Sequence, residues 1–317
     1  MRICRTLLSV VLLLLPVTGF AQTQKPIRII VPFAPGASAD GIARAVGAEL
    51  GHRLGRSVIV ENSVGAGGAL GLVTLAKSPP DGDTLGVGAT GALLINPHLP
   101  NSTASDFLRE LTAVAKLIEV GVLVVANPET GPKSVADLIA QSKARPGGLS
   151  YGSTGVYTGQ HITMELLKKA TGANLTHIPY RGSAPAVVDL IAGQIPLAAV
   201  DITSAYPHVA TGRLRALGMA ETKRSAAAPE IPTIGEQGVP GFGRAGGFIG
   251  LFAPAGTPPT VTRRISGEVA EILKSPAVQA NVRALTASVS YENEVAFAEF
   301  LAVESARWKV VLKDLFN

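Results

Sequence analysis

The 317-residue chain is poor in several things, and each shortage narrows what it is. It has one cysteine, Cys4, too few for a disulfide framework or a zinc site. Charged residues make up only 16% of the chain and aromatics 5%. The net charge of +5 comes without any run of Lys and Arg, so nothing supports nucleic-acid binding. No Walker lysine motif occurs. The five histidines (52, 98, 161, 177 and 208) show no H-E-x-x-H or H-x-H spacing for a metal. No cofactor is therefore expected. The pair His161 and Glu165, one helical turn apart, is the best that a secreted hydrolase has to offer, and it lacks a nucleophile or metal.

Apolar residues, by contrast, reach 47%, enough to build a core and exclude disorder. The chain has 35 glycines and 22 prolines, dispersed and without a three-residue period. Arg2 and Arg5 precede an apolar run from Leu7 to Pro16, with small residues at Gly19 and Ala21, which is the pattern of a secretory signal cut after Ala21. The run is about half of the roughly 20 residues a spanning helix needs. The mature chain is then free of cysteine and periplasmic.

Beyond the signal, short apolar runs alternate with helical patterns. Ile27 to Phe33 reads as a buried strand, followed by Ile42, Val46, Leu50 and Leu54 at helical spacing and a Gly55 stop. Further strands are expected at 57–60, 84–89, 120–126, 149–152, 175–180, 197–201, 214–219 and 248–253, with helices between and two amphipathic helices at the end. The fold class is α/β: two lobes, each a mostly parallel sheet flanked by helices, with a ligand cleft between them. The expected division is 22–126 with 223–317 as one lobe and 127–222 as the other.

Three strand-to-helix loops combine Gly with Ser or Thr: Gly36-Ala37-Ser38-Ala39-Asp40, Ser153-Thr154-Gly155 and Arg181-Gly182-Ser183. Free N–H groups and the positive end of the helix dipole make such loops anion sites. Parallel strands gather them at one sheet edge, where open α/β folds bind ligands. Plain N-capping explains any single loop; three, split between two lobes, point to a small anion.

The chain resembles the Bug family, the extracytoplasmic solute receptors of tripartite tricarboxylate transporters. The resemblance rests on Lys25-Pro26-Ile27-Arg28-Ile29-Ile30-Val31-Pro32-Phe33-Ala34-Pro35-Gly36 with Asp40, then Val60-Glu61-Asn62, Pro80-Asp81-Gly82, Tyr151-Gly152-Ser153 and Pro179-Tyr180-Arg181-Gly182. It continues in Gly212-Arg213-Leu214-Arg215-Ala216-Leu217 and Ala253-Pro254-Ala255-Gly256-Thr257-Pro258. It implies a type II-like periplasmic binding fold, here a monomer, that closes on a small carboxylate: an organic acid or acidic amino acid. The partner is then a set of membrane transport subunits, or alternatively a sensor kinase. The implied binding residues are Phe33, Gly36, Ala37, Ser38, Asp40, Ala89 and Thr90 on one side, and Ser153, Thr154, Gly155, Arg181, Gly182, Ser183 and Asp201 on the other. Ala37 and Ala39 depart from the family's usual Gly and Thr, which narrows the site and removes a hydroxyl.

Overall fold

A computed structural model describes residues 25–99, 105–243 and 247–316. The expected signal segment and Cys4 lie outside the described residues. The chain begins β1 (Ile27–Val31), α1 (Ser38–Leu54), β2 (Val58–Asn62), α2 (Ala69–Ala76), β3 (Thr84–Ala89), α3 (Phe107–Glu110) and β4 (Leu111–Val120). It continues through β5 (Val122–Ala126), α4 (Val135–Ala144), β6 (Leu149–Ser153), α5 (Gly159–Thr171), β7 (Leu175–Pro179), α6 (Ser183–Ile191), β8 (Leu197–Asp201), α7 (Ile202–Ala210) and β9 (Arg215–Met219). The last part is β10 (Gly247–Pro254), α8 (Pro259–Lys274), α9 (Pro276–Ala284), β11 (Ser288–Glu292) and α10 (Glu294–Phe316).

Two sheets result, ordered β11-β4-β10-β3-β1-β2 and β7-β6-β8-β5-β9, so the fold is two-lobed α/β. Both sheets are mixed rather than mostly parallel. β1 runs parallel to β2 and β3, and β6 to β7 and β8. The returning strands β10, β4, β11, β5 and β9 pair antiparallel. β10 completes the first sheet from far along the chain, sitting between β3 and β4. The apolar run 120–126 is interrupted. Val120 ends β4 in the first sheet, Gly121 carries the chain across, and Val122 opens β5 in the second.

Strand alternation explains the layering. Ile27, Ile29 and Val31 pack with Ile42, Val46 and Leu50 of α1 on one face, while Ile30 joins Leu72, Leu75, Trp308 and Leu312 on the other. Both faces are covered, so the strand is apolar except for Arg28, which is half-buried and paired with Glu61. α1 stops at Gly55, whose left-handed φ of 65° lets its N–H reach the carbonyls of Gly51 and His52. In the second sheet, Val122, Val124 and Ala126 face α4 and α5, and Leu123 and Val125 face a cluster shared with the first lobe. Among the described residues no helix is long and apolar enough to cross a membrane.

Trp308, the chain's single tryptophan, is fully buried with its indole Nε1 unpartnered among the described residues. Removing an unsatisfied donor offsets the lost ring volume. Trp308→Phe should therefore stay within about 1 kcal/mol of wild type. Urea unfolding followed by circular dichroism checks this, and a larger loss would mean that the N–H is satisfied in solution.

Candidate functional site

The carboxyl ends of β1, β3, β6 and β8 converge between the lobes, as expected for ligand sites in open α/β folds. They close on a cavity of about 50 Å³ open to the centre of a water molecule, against the roughly 10–15 Å³ that one water needs. Nine of the residues expected at the site line it: Phe33, Ala37, Ser38, Ala89 and Thr90 from the first lobe, and Thr154, Gly182, Ser183 and Asp201 from the second.

The other five are not in the lining. Asp40 is buried but turned into its own loop, where it accepts from Arg44 Nε at 3.0 Å, Asn62 Nδ2 at 3.0 Å and the Gly36 N–H at 3.3 Å. Burial alone would push this carboxyl up; Arg44, Asn62 and the Gly36 N–H outweigh it and hold it below its ordinary value. Asp40 and Gly36 thus fix the loop that presents Ala37 and Ser38. Ser153 and Gly155 do the same across the cleft. Ser153 Oγ accepts the Gly155 N–H at 3.2 Å and lies 2.6 Å from His177 Nε2. Arg181 is exposed and outside the lining.

Ala39, which the sequence analysis placed in the first loop, also lines the cavity, while sequence reasoning missed other wall residues, among them Gly91, Thr158, Gly159, Gln160, Phe248 and Ile249. Thr158 and Gln160 carried a usable signal. Thr158 is the N-cap of α5, accepting the His161 N–H at 3.4 Å, and Gln160 follows in the first turn. Ser183 is the first residue of α6, and Gly182 holds the cap position with no side chain to offer. The freed Ser183 Oγ accepts the Asp201 N–H at 3.1 Å.

The electrostatics follow from this geometry. α1, α5, α6 and α7 all begin at the cavity wall, through Ser38, Gly159, Ser183 and Asp201. Four positive helix ends therefore face one small volume. Among the described residues no Lys, Arg or His lines it, and the one ionisable lining group is Asp201. Its Oδ2 accepts the Ser38 hydroxyl across the cleft at 2.8 Å and its Oδ1 accepts from Gln160 Nε2. Gln160 is oriented in turn by the Thr154 hydroxyl, which donates to its Oε1 at 2.8 Å. Burial pushes the Asp201 carboxyl up, against hydrogen bonds from Ser38, Gln160 and Ser183.

The pair His161 and Glu165 forms no catalytic arrangement. His161 Nδ1 accepts the Tyr157 N–H at 3.0 Å, its ring stacks on His177 at 4.0 Å, and Glu165 stands 3.8 Å from Nε2 while bound to Lys168 and Tyr151. Neither histidine lines the cavity. Their role is to hold the Ser153–Thr158 loop, where Tyr157 adopts a left-handed φ of 59°.

Residues 42–316 match the family described as tripartite tricarboxylate transporter family receptor. Protein BugT of Bordetella pertussis is 35% identical over 300 residues, which cover 94% of this chain and 92% of that one. The structure of R. palustris Rpa4515 with adipate superimposes with a TM-score of 0.87 at 30% identity, over 93% of this chain and 98% of the other. MatC (Rpa3494) from Rhodopseudomonas palustris with bound malate gives a TM-score of 0.84 at 30% identity, over 90% and 98%. These relatives are solute-binding receptors rather than enzymes. With the family match spanning most of its length, the chain belongs to the tripartite tricarboxylate transporter receptor family.

Proposed function

We propose that the protein is a periplasmic receptor, delivered by a cleaved signal, that closes its lobes on a small carboxylated organic solute and hands it to membrane transport subunits. The crossings available to this motion are at Gly121 and beyond Phe242, which still packs in the second lobe. The observation that carries the reading is the meeting of four helix N-termini at one cavity that, among the described residues, no cationic side chain lines. Backbone N–H groups fixed at helix starts hold a carboxylate with little reorganisation, and closure strengthens them by excluding water. The adipate and malate held by two relatives have this chemistry.

Calorimetric titration of the mature protein with mono-, di- and tricarboxylates, amino acids and uncharged sugars tests it. At least one carboxylate should bind, with a smaller radius of gyration in solution scattering once bound. Binding of uncharged sugars alone would overturn the proposal.

A further inference from the structure

The cavity sets two demands on its occupant, and only one of them is met by a carboxylate. Four helix N-termini attract negative charge, but Asp201 brings a carboxyl group of its own into the same wall. Ser38 donates to one oxygen and Gln160 to the other, and Ser183 also hydrogen-bonds the carboxyl. An ionised carboxylate offers about four acceptor sites, so about one remains. Among the described residues no Lys, Arg or His lines the cavity to neutralise it. A ligand that closes the cleft therefore lies against a carboxyl group with acceptor capacity to spare and no counter-charge among those residues. A solute with only carboxylates would set like charges together out of water, where repulsion is strong. A solute with a donor on that side would fill the open site with a charge-assisted hydrogen bond.

Building on the receptor reading above, we infer that the ligand carries a hydrogen-bond donor, an ammonium or amide N–H, aimed at Asp201, as well as the carboxylate held by the helix ends. Asp201 is then the residue that selects within the carboxylates. It favours amino acids and amidated acids over plain dicarboxylates of the same length. The site is well built for this, because Asp201 is held at three points. Ser183 accepts its N–H at 3.1 Å, Ser38 donates to Oδ2 at 2.8 Å, and Gln160, itself held by Thr154, donates to Oδ1. A fixed acceptor discriminates by direction as well as by charge.

The test is calorimetry on the mature protein with matched pairs that differ only in the donor: aspartate against succinate, glutamate against glutarate, succinamate against succinate. For the pairs that fit, the donor-bearing member should bind at least ~30-fold more tightly, the usual scale for leaving a buried charge unpaired. Asp201→Asn keeps the shape and removes the charge, and it should shrink the preference to within about threefold, chiefly by admitting the dicarboxylate. Equal or tighter binding of the plain dicarboxylate by wild type overturns the inference, and that comparison needs no variant to fold. A preference that survives unchanged in Asp201→Asn also overturns it, since the selectivity then lies elsewhere. If carboxylates bind regardless of the donor, the receptor reading stands and this inference alone fails. If no carboxylate binds, both fall together.

Discussion

Glu221→Gln is expected to stabilise the protein by about 3 kcal/mol near pH 9 and hardly at all near pH 4. Glu221 stands beside Gly121, where the chain crosses between the lobes. Its Oε1 accepts the Val122 N–H at 2.7 Å, while Oε2 is buried without a partner among the described residues. Burial pushes this carboxyl from its ordinary 4.5 up to about 8. Below the unfolded value both states hold the proton and nothing is lost. As pH climbs from about 4.5 to 8, the unfolded chain releases a proton that the fold retains, so stability falls at roughly 1.4 kcal/mol per pH interval. Above about 8 the loss is complete. The residue keeps partial access to solvent, which trims the total to about 3 kcal/mol. Glutamine preserves the acceptor for Val122 and does not titrate. Thermal unfolding at three pH values reads the effect, with a gain of about 5 °C near pH 9 shrinking to none in acid. A gain that ignores pH would show that Glu221 does not hold the proton.

The second large effect is on closure. Gly67 and Gly91 belong to the first lobe and press against the second-lobe loop that ends at the α5 cap. A methyl on Gly67 would lie 2.6 Å from the Val156 carbonyl oxygen, and one on Gly91 2.9 Å from Thr158 Cα. Both clashes are with backbone, which cannot rotate away. They exist only while the lobes are together, so Ala at either position should wedge the cleft open and leave each lobe intact. Affinity scales with the fraction of molecules able to close, and a penalty of about 3 kcal/mol predicts a loss of about 100-fold for Gly67→Ala. Gly67 also sits at φ 61°, so its variant loses about 1 kcal/mol of stability as well. Gly91 carries no such strain, and the Gly91→Ala variant separates the two effects. It should keep its melting temperature while binding weakens roughly tenfold. Wild-type affinity in Gly91→Ala would mean that the lobes do not meet there when ligand is bound.

Much of the scaffold was legible from residue patterns. The buried run at Ile27–Val31, the four-residue spacing of α1 and the glycine stop at 55 each report a local backbone preference that survives in the fold. The loops rich in Gly and Ser were legible for the same reason, since they mark where helix N–H groups are left free. What stayed hidden depends on partners far along the chain. Val120-Gly121-Val122-Leu123 reads as one apolar strand, because nothing local tells that Gly121 hands the chain from one sheet to another. β11, at Ser288–Glu292, is a half-exposed edge strand with little apolar pattern. Side-chain direction was equally opaque. Asp40 and Asp201 both sit next to loop glycines or helix starts, yet Arg44 and Asn62 draw one away from the cavity while Ser38 and Gln160 hold the other within it.

The place of β10 between β3 and β4 also sets an order of assembly during synthesis. All strands of the second sheet lie between residues 122 and 219, so that lobe has every part it needs before β10 has been made. The first lobe, although it begins at the N-terminus, stays unfinished until residues 247–254 emerge, with β3 and β4 waiting on a strand that both must share. Long-range pairings of this kind are slow to form. The nascent chain therefore finishes its inserted half first, reversing the usual N-to-C sequence of domain folding.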